Sequence, residues 1–173
     1  AFQTLALAGT RSPLRLARLL VTIGRGVGVP HGITAGQAWE CESRVSLAEY
    51  QREKTGSLFE AAAVAGAEAA GAPSHPWRTF GEKLGEAYQV ADDIRDVAAD
   101  PVAIGKPVGR DIALARPSSA RELGLEGAVR YFERLVGEVI ASIPACPGNA
   151  ALKDLVAREA DRLVPSEIMA LAA

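Results

Sequence analysis

The sequence predicts an all-α fold, and three observations carry that expectation. Apolar residues recur at helical spacing along nearly the whole chain, and no window of four or more residues shows the alternation and β-branched enrichment of a strand. Hydrophobic residues make up 49% of the 173 residues while aromatics make up only 5%, so the core has to be assembled mostly from Ala, Leu, Val and Ile, as helical cores usually are. A chain of this length suffices for one compact domain with a hydrophobic core and is short for two, so a single domain over residues 1–173 is expected.

The opening stretch Ala-Phe-Gln-Thr-Leu-Ala-Leu-Ala reads as the inside of a helix, without Met and without the Ser, Thr, Asp or Asn of an N-cap, so the chain is expected to begin mid-fold. Arg11-Ser12-Pro13 breaks that helix, Leu14 to about Gly28 forms the next, and Val29-Pro30-His31-Gly32 stops it. Ser46-Leu47-Ala48-Glu49 has capping-box spacing, in which serine and glutamate reciprocally satisfy orphan amides at a helix start. A long Ala-rich helix follows and ends near Gly71-Ala72-Pro73. Another runs from about His75 to Val97, after which Asp100-Pro101 and the Gly105 to Gly109 stretch form a loop. Helices from about Glu126 to Ile143 and from Asn149 to Val164 complete the chain. No internal repeat, low-complexity tract or interdomain linker interrupts this order.

With 19 Lys and Arg against 21 Asp and Glu, the net charge of -2 creates no field that would attract nucleic acid or an acidic membrane surface. Any anion site must therefore be local. Cys41 and Cys146 sit in no CxxC spacing and read as reduced thiols. No apolar run reaches about 18 residues and no charged leader precedes a greasy block, so no membrane span or signal peptide is expected and the cytoplasm is the default location.

The chemistry concentrates on the helix that begins near His75. At about 100° per residue, Gln89, Asp92, Asp93 and Asp96 of the segment QVADDIRD fall in one polar stripe, opposite Phe80, Leu84, Ala87 and Ala91. Three carboxylates on one face repel one another, and Arg95 alone offers a local offset, so a cation among them makes physical sense. Magnesium fits, because it takes oxygen ligands from one or two carboxylates and completes its shell with water and phosphate. Taken alone, the motif suits a solvated acidic face equally well. Lys54-Thr55-Gly56 places an ammonium beside a hydroxyl, a pair able to hold diphosphate oxygens, with Gly56 permitting close approach; the plain alternative is a solvated helix lysine. Gly105-Lys106-Pro107-Val108-Gly109-Arg110-Asp111 puts cations in a glycine-bearing loop able to wrap a phosphate, or forms an ordinary turn. Anion-binding cations and cation-binding carboxylates together are what a magnesium diphosphate requires. Gly24-Arg25-Gly26-Val27-Gly28 is read as helix packing and not as a phosphate loop, since no strand precedes it.

In order and spacing, Gly36-Gln37, Lys54-Thr55-Gly56-x-Leu58, Phe80-Gly81-x-x-x-Gly85, Tyr88-Gln89-x-x-Asp92-Asp93-x-x-Asp96 and Gly105-Lys106-Pro107 resemble the trans-isoprenyl diphosphate synthases, or polyprenyl synthetases. Gly36-Gln37-Ala38-Trp39-Glu40-Cys41-Glu42 and Ala141-Ser142-Ile143-Pro144-Ala145-Cys146-Pro147-Gly148 are similar in particular to the bacterial geranylgeranyl diphosphate synthases of carotenoid pathways. The resemblance implies an antiparallel helical bundle around a deep cavity, usually a homodimer. It implies a reaction in which an allylic diphosphate is condensed with isopentenyl diphosphate with the help of Mg2+ or Mn2+. By the same resemblance Asp92, Asp93 and Asp96 belong to the second metal motif, Asp93 least firmly, while Lys54, Thr55, Gln89 and Lys106 hold the allylic diphosphate. Lys54 and Lys106 are the cations expected to stabilise the departing diphosphate.

The chain departs from that pattern in two places. Where such synthases often carry Gly-Lys-x-Thr after the loop aspartate, it has Ala115-Arg116-Pro117-Ser118, so Arg116 keeps the charge with a different geometry. No first DDxxD with an Arg pair occurs. The chain is therefore expected to be the C-terminal portion of such a synthase and inactive by itself. The rival readings are a noncatalytic synthase-like subunit, which the missing upstream motif argues for and retention of Lys54, Gln89, Asp92, Asp96 and Lys106 argues against, and a class I terpene cyclase or squalene-type synthase, which would not be expected to carry both KTG and GKP in this register.

Overall fold

A computed structural model describes residues 2–8, 12–42, 46–98 and 118–170. Every regular element among them is helical, as the apolar periodicity predicts. The chain separates into two compact units, Ala1–Gly85 and Glu86–Ala173, and the boundary falls inside one continuous helix.

The first unit opens with α1 (Phe2–Ala8) and α2 (Pro13–Val27), the latter with Pro at its first position, where a missing N–H costs nothing. After the bend at Gly28–Gly32 come α3 (Ile33–Ala38) and a 3₁₀ turn, Trp39–Cys41. The expected Ala-rich helix is split into α4 (Leu47–Gln51), a π-helical turn at Arg52–Gly56 and α5 (Ser57–Ala70). Of the capping box, the Ser46 hydroxyl accepts from the Glu49 amide at 3.5 Å. Gly71, at φ 75°, ends α5 in the left-handed conformation that glycine adopts without strain.

Close backbone approach organises this unit. α2 packs along α5, with Gly26 buried against Ala61, the Thr22 hydroxyl donating to Glu68 at 2.9 Å and Arg15 donating to the Ala69 carbonyl at 2.8 Å. The Gly24 to Gly28 stretch thus ends a helix. The next helix, α6 (Trp77–Ala98), begins in this unit, and its Gly81 and Gly85 lie on α5 and the π turn. A Cβ at Gly81 would stand 2.5 Å from Glu60 Cα, and one at Gly85 2.7 Å from Gly56 Cα.

The second unit holds the remainder of α6, then α7 (Ser119–Ser142), α8 (Asn149–Leu163) and α9 (Ser166–Ala170). Gly124, at φ 70° and ψ 168°, interrupts α7, so its regular run starts close to the expected Glu126 and a short helical turn precedes it. Val90, Ala91, Ile94, Leu135, Val139 and Val164 are almost wholly buried, and each of the larger ones contributes about 1.5–3 kcal/mol by leaving water.

Candidate functional site

In the first unit, Lys54 and Thr55 stand in the π turn, where an extra residue in the helical winding re-aims the side chains. Both are half-buried. The Lys54 ammonium donates to Glu40 Oε1 and, at 2.5 Å, to the Tyr50 hydroxyl, and it lies 5.0 Å from the centre of the Tyr50 ring. Tyr50 in turn donates to Glu40 Oε1 at 2.8 Å, and Gln37 donates to Glu40 Oε2 at 2.7 Å. Burial alone would lower the Lys54 pKa, but the hydrogen bonds to Glu40 and Tyr50 outweigh it and hold the ammonium above its ordinary range. Burial raises the Tyr50 pKa, so the phenol keeps its proton.

Gly36 makes this arrangement sterically feasible. A Cβ there would stand 2.5 Å from Lys54 Cα and 2.8 Å from the Glu53 carbonyl carbon, so only glycine lets α3 seat against the π turn. Gly56 is buried at the end of the π turn. Its own Cβ would meet nothing closer than 3.8 Å, and its Cα forms the floor on which Gly85 rests.

Next to Lys54, Glu53 turns the other way and is buried at 5% exposure. Its carboxylate accepts from the Gly32 amide at 2.8 Å and contacts His31 Nδ1 at 3.3 Å, fastening the bend after α2 to the π turn. A half-open cavity of about 570 Å³ lies in this unit, with Arg25, His31, Arg52, Glu53, Glu60 and Arg78 among its lining residues. Neither Lys54 nor Thr55 lines it. Burial raises the Glu60 pKa, and the Arg78 guanidinium 2.8 Å away opposes that rise.

In the second unit, the expectation of three carboxylates on one open face holds for Asp92 and Asp96 but not for Asp93. Asp92 is exposed and accepts from Arg95 at 3.0 Å, and Asp96 is half-buried. Asp93 is only 2% exposed. It lies at the edge of the stripe beside Val90 and Ile94, and its carboxylate accepts from the Ser119 amide at 2.7 Å and from Gln89 at 2.9 Å. The negative charge thus meets an orphan amide at the start of α7, where helix geometry leaves donors unsatisfied. Gln89 is thereby tied to Asp93. Among the described residues no three His, Cys, Asp or Glu side chains gather so as to hold a metal ion. The i,i+4 pair Asp92 and Asp96 remains a donor set of the hard, oxygen-only kind that magnesium accepts.

Lys106 and Arg116, with the whole Gly105 to Asp111 loop, lie outside the described residues. Sequence reasoning missed Glu40 and Tyr50 as partners of Lys54, although Tyr50 stands at i−4 from Lys54 and Glu40 at i+3 from Gln37, spacings that place side chains together on a helix. Cys41 and Cys146 are free thiols, and no helix among the described residues is long and apolar enough to cross a membrane.

Every regular element among the described residues is helical, and solved structures of isoprenyl diphosphate synthases, themselves all-helical, share this fold. Residues 19–142 match the profile of the polyprenyl synthetase family, and the chain belongs to that family. It is 46% identical over 169 residues to a geranylgeranyl diphosphate synthase of Cereibacter sphaeroides, covering 98% of this chain and 59% of that one. A geranylgeranyl diphosphate synthase of Rhodobacter capsulatus is 44% identical over 163 residues, covering 94% and 56%. Among solved structures, a geranyltransferase of Helicobacter pylori complexed with magnesium and isoprenyl diphosphate superposes with a TM-score of 0.77 at 27% identity, covering 93% of this chain and 56% of that one. The chain spans less than two thirds of the length of these relatives.

Proposed function

We propose that the protein carrying this chain is a magnesium-dependent trans-prenyltransferase of the geranylgeranyl diphosphate synthase kind, condensing an allylic diphosphate with isopentenyl diphosphate. The observation that carries this reading is the 46% identity to such a synthase over 98% of the chain, with Lys54, Gln89, Asp92 and Asp96 all in register with the motifs. Since the similar proteins are named as synthases, the noncatalytic-subunit reading is not favoured.

Asp92 and Asp96 would hold magnesium, or manganese, together with phosphate oxygens and water; bound there, the ion supplies positive charge against the departing diphosphate. Asp93 serves chiefly as a support, since its carboxylate is spent on Ser119 and Gln89. Lys54 donates an N–H to a phosphate oxygen, and Thr55 and Gln89 add neutral polar groups. Lys106 and Arg116 supply further positive charge. As the allylic C–O bond breaks, its electron pair leaves with the diphosphate. The double bond of isopentenyl diphosphate forms the new C–C bond to the allylic carbon, and loss of a proton restores an alkene one isoprene unit longer. Preorganised positive charge at the leaving group is the protein's main contribution. The resemblance further supports a homodimer.

The test is product formation from radiolabelled isopentenyl diphosphate and an allylic diphosphate by the full-length protein, with and without magnesium. Magnesium-dependent elongation is expected. Absence of elongation with every allylic diphosphate offered overturns the reading.

A further inference from the structure

Lys54 differs from an ordinary helix lysine in being held. Two of its ammonium protons are taken by Glu40 Oε1 and the Tyr50 oxygen, and the Tyr50 ring covers one side. Its third N–H has no acceptor among the described residues. The holding groups are themselves held. Glu40 is gripped through its other oxygen by Gln37 and through the shared oxygen by Tyr50, so it does not depend on the lysine for its place. Gly36 brings α3 against the Lys54 backbone and thereby sets the span that Glu40 bridges.

Resting on the proposed function, we propose that Glu40 and Tyr50 are positioning residues, fixing the Lys54 ammonium so that its remaining N–H is presented to a phosphate oxygen of the diphosphate substrate. A free lysine loses much rotamer freedom when it grips a phosphate, and a clamped one has already lost it. Glu40 also repels a diphosphate, so the two effects oppose each other. Orientation prevails, because the Glu40 charge is already spread over three donors while an unclamped Lys54 would return to solvent.

The experiment is calorimetric titration of inorganic pyrophosphate, with magnesium present, into the full-length protein and its Glu40→Gln, Glu40→Asp, Tyr50→Phe, Lys54→Met and Glu40→Gln/Lys54→Met variants, with helix content checked by circular dichroism. Lys54→Met is expected to weaken binding about 10- to 100-fold, the range of one charged hydrogen bond. Glu40→Gln and Tyr50→Phe are expected to weaken it about 3- to 10-fold. Glu40→Asp should restore part of that loss, and Glu40→Gln should add nothing once Lys54 is Met, a coupling that a merely structural role would not produce. Unchanged or tighter binding in Glu40→Gln, while Lys54→Met still binds weakly, overturns the positioning role and leaves the proposed function standing. Unchanged binding in Lys54→Met overturns the place of Lys54 in the diphosphate site, and this inference with it.

Discussion

Lys54 and Asp92 carry opposite charges in opposite surroundings. The lysine side chain is 26% exposed and is held by a carboxylate and a phenol, whereas the aspartate is 56% exposed and, among the described residues, touches only an arginine on its own helix. The next residue along α6, Asp93, shows the alternative fate of a carboxylate: it is buried and fully engaged. The comparison teaches that the cation of the first unit is preorganised by protein groups, while the second unit keeps Asp92 open to solvent. Substitution of Asp93 is therefore expected to act through stability, and substitution of Asp92 through function.

The largest expected effect breaks the comparison at its open end. In the full-length protein, Asp92→Ala should lower prenyl transfer at saturating substrate by about 100-fold or more, while the melting temperature moves little. A wild-type rate in steady-state assays would return Asp92 to a solvated helix face. At the held end, Gly36→Ala should cost about 1–3 kcal/mol in a denaturant melt, because the added methyl meets the backbone at Lys54 and Glu53 and not a side chain that can rotate away. Stability within experimental error of wild type would show that α3 is free to shift.

Asp93→Asn sharpens the contrast between neighbours. An amide can accept from Ser119 or from Gln89 but must turn its own N–H₂ toward the other, so about 1–3 kcal/mol of stability should be lost. If Asp93→Asn instead lost activity with an unchanged melt, the aspartate would be acting on the metal. The smallest effect is alkaline. Burial and a hydrogen bond to Glu86 push Tyr131 up to about 12, so ultraviolet titration should show a late-ionising tyrosine that Tyr131→Phe removes. Its folded-state pKa is raised, so its contribution to stability is complete below about pH 10 and is lost as the pH rises through about 12. Lys54, also raised, follows the same sign from its ordinary value of 10.5.

The long elements were legible because their apolar periods are long and their ends are marked by Pro, Gly or Ser. α2, α6 and α8 lie within a residue or two of expectation. α3 was not legible, since six residues containing Gly and Thr offer neither a cap nor two turns of periodicity. The split of the Ala-rich helix at Arg52–Gly56 was equally hidden, because apolar spacing does not register one added residue in the winding. At the candidate site, side-chain types could be read but their hydrogen-bond partners could not. Asp93 sits on the same arc as Asp92 and Asp96 in a helical projection, and only the position of Ser119, far away in sequence, decides that it is buried. Lys54 was legible as a cation, but its dependence on Glu40 required knowing that Gly36 brings α3 onto the π turn.

Gly36, Gly81 and Gly85 carry no functional group, yet they stand among the residues by which this chain is matched to a chemistry. What they specify is clearance: the thickness of a methyl group, withheld where one helix rests on another. Part of a signature that reads as catalytic is therefore a tolerance specification, in the engineer's sense, for the frame around the reagents. Redesign of the reaction could exchange the charged residues and keep the glycines, whereas filling those gaps would move the frame before any chemistry was altered.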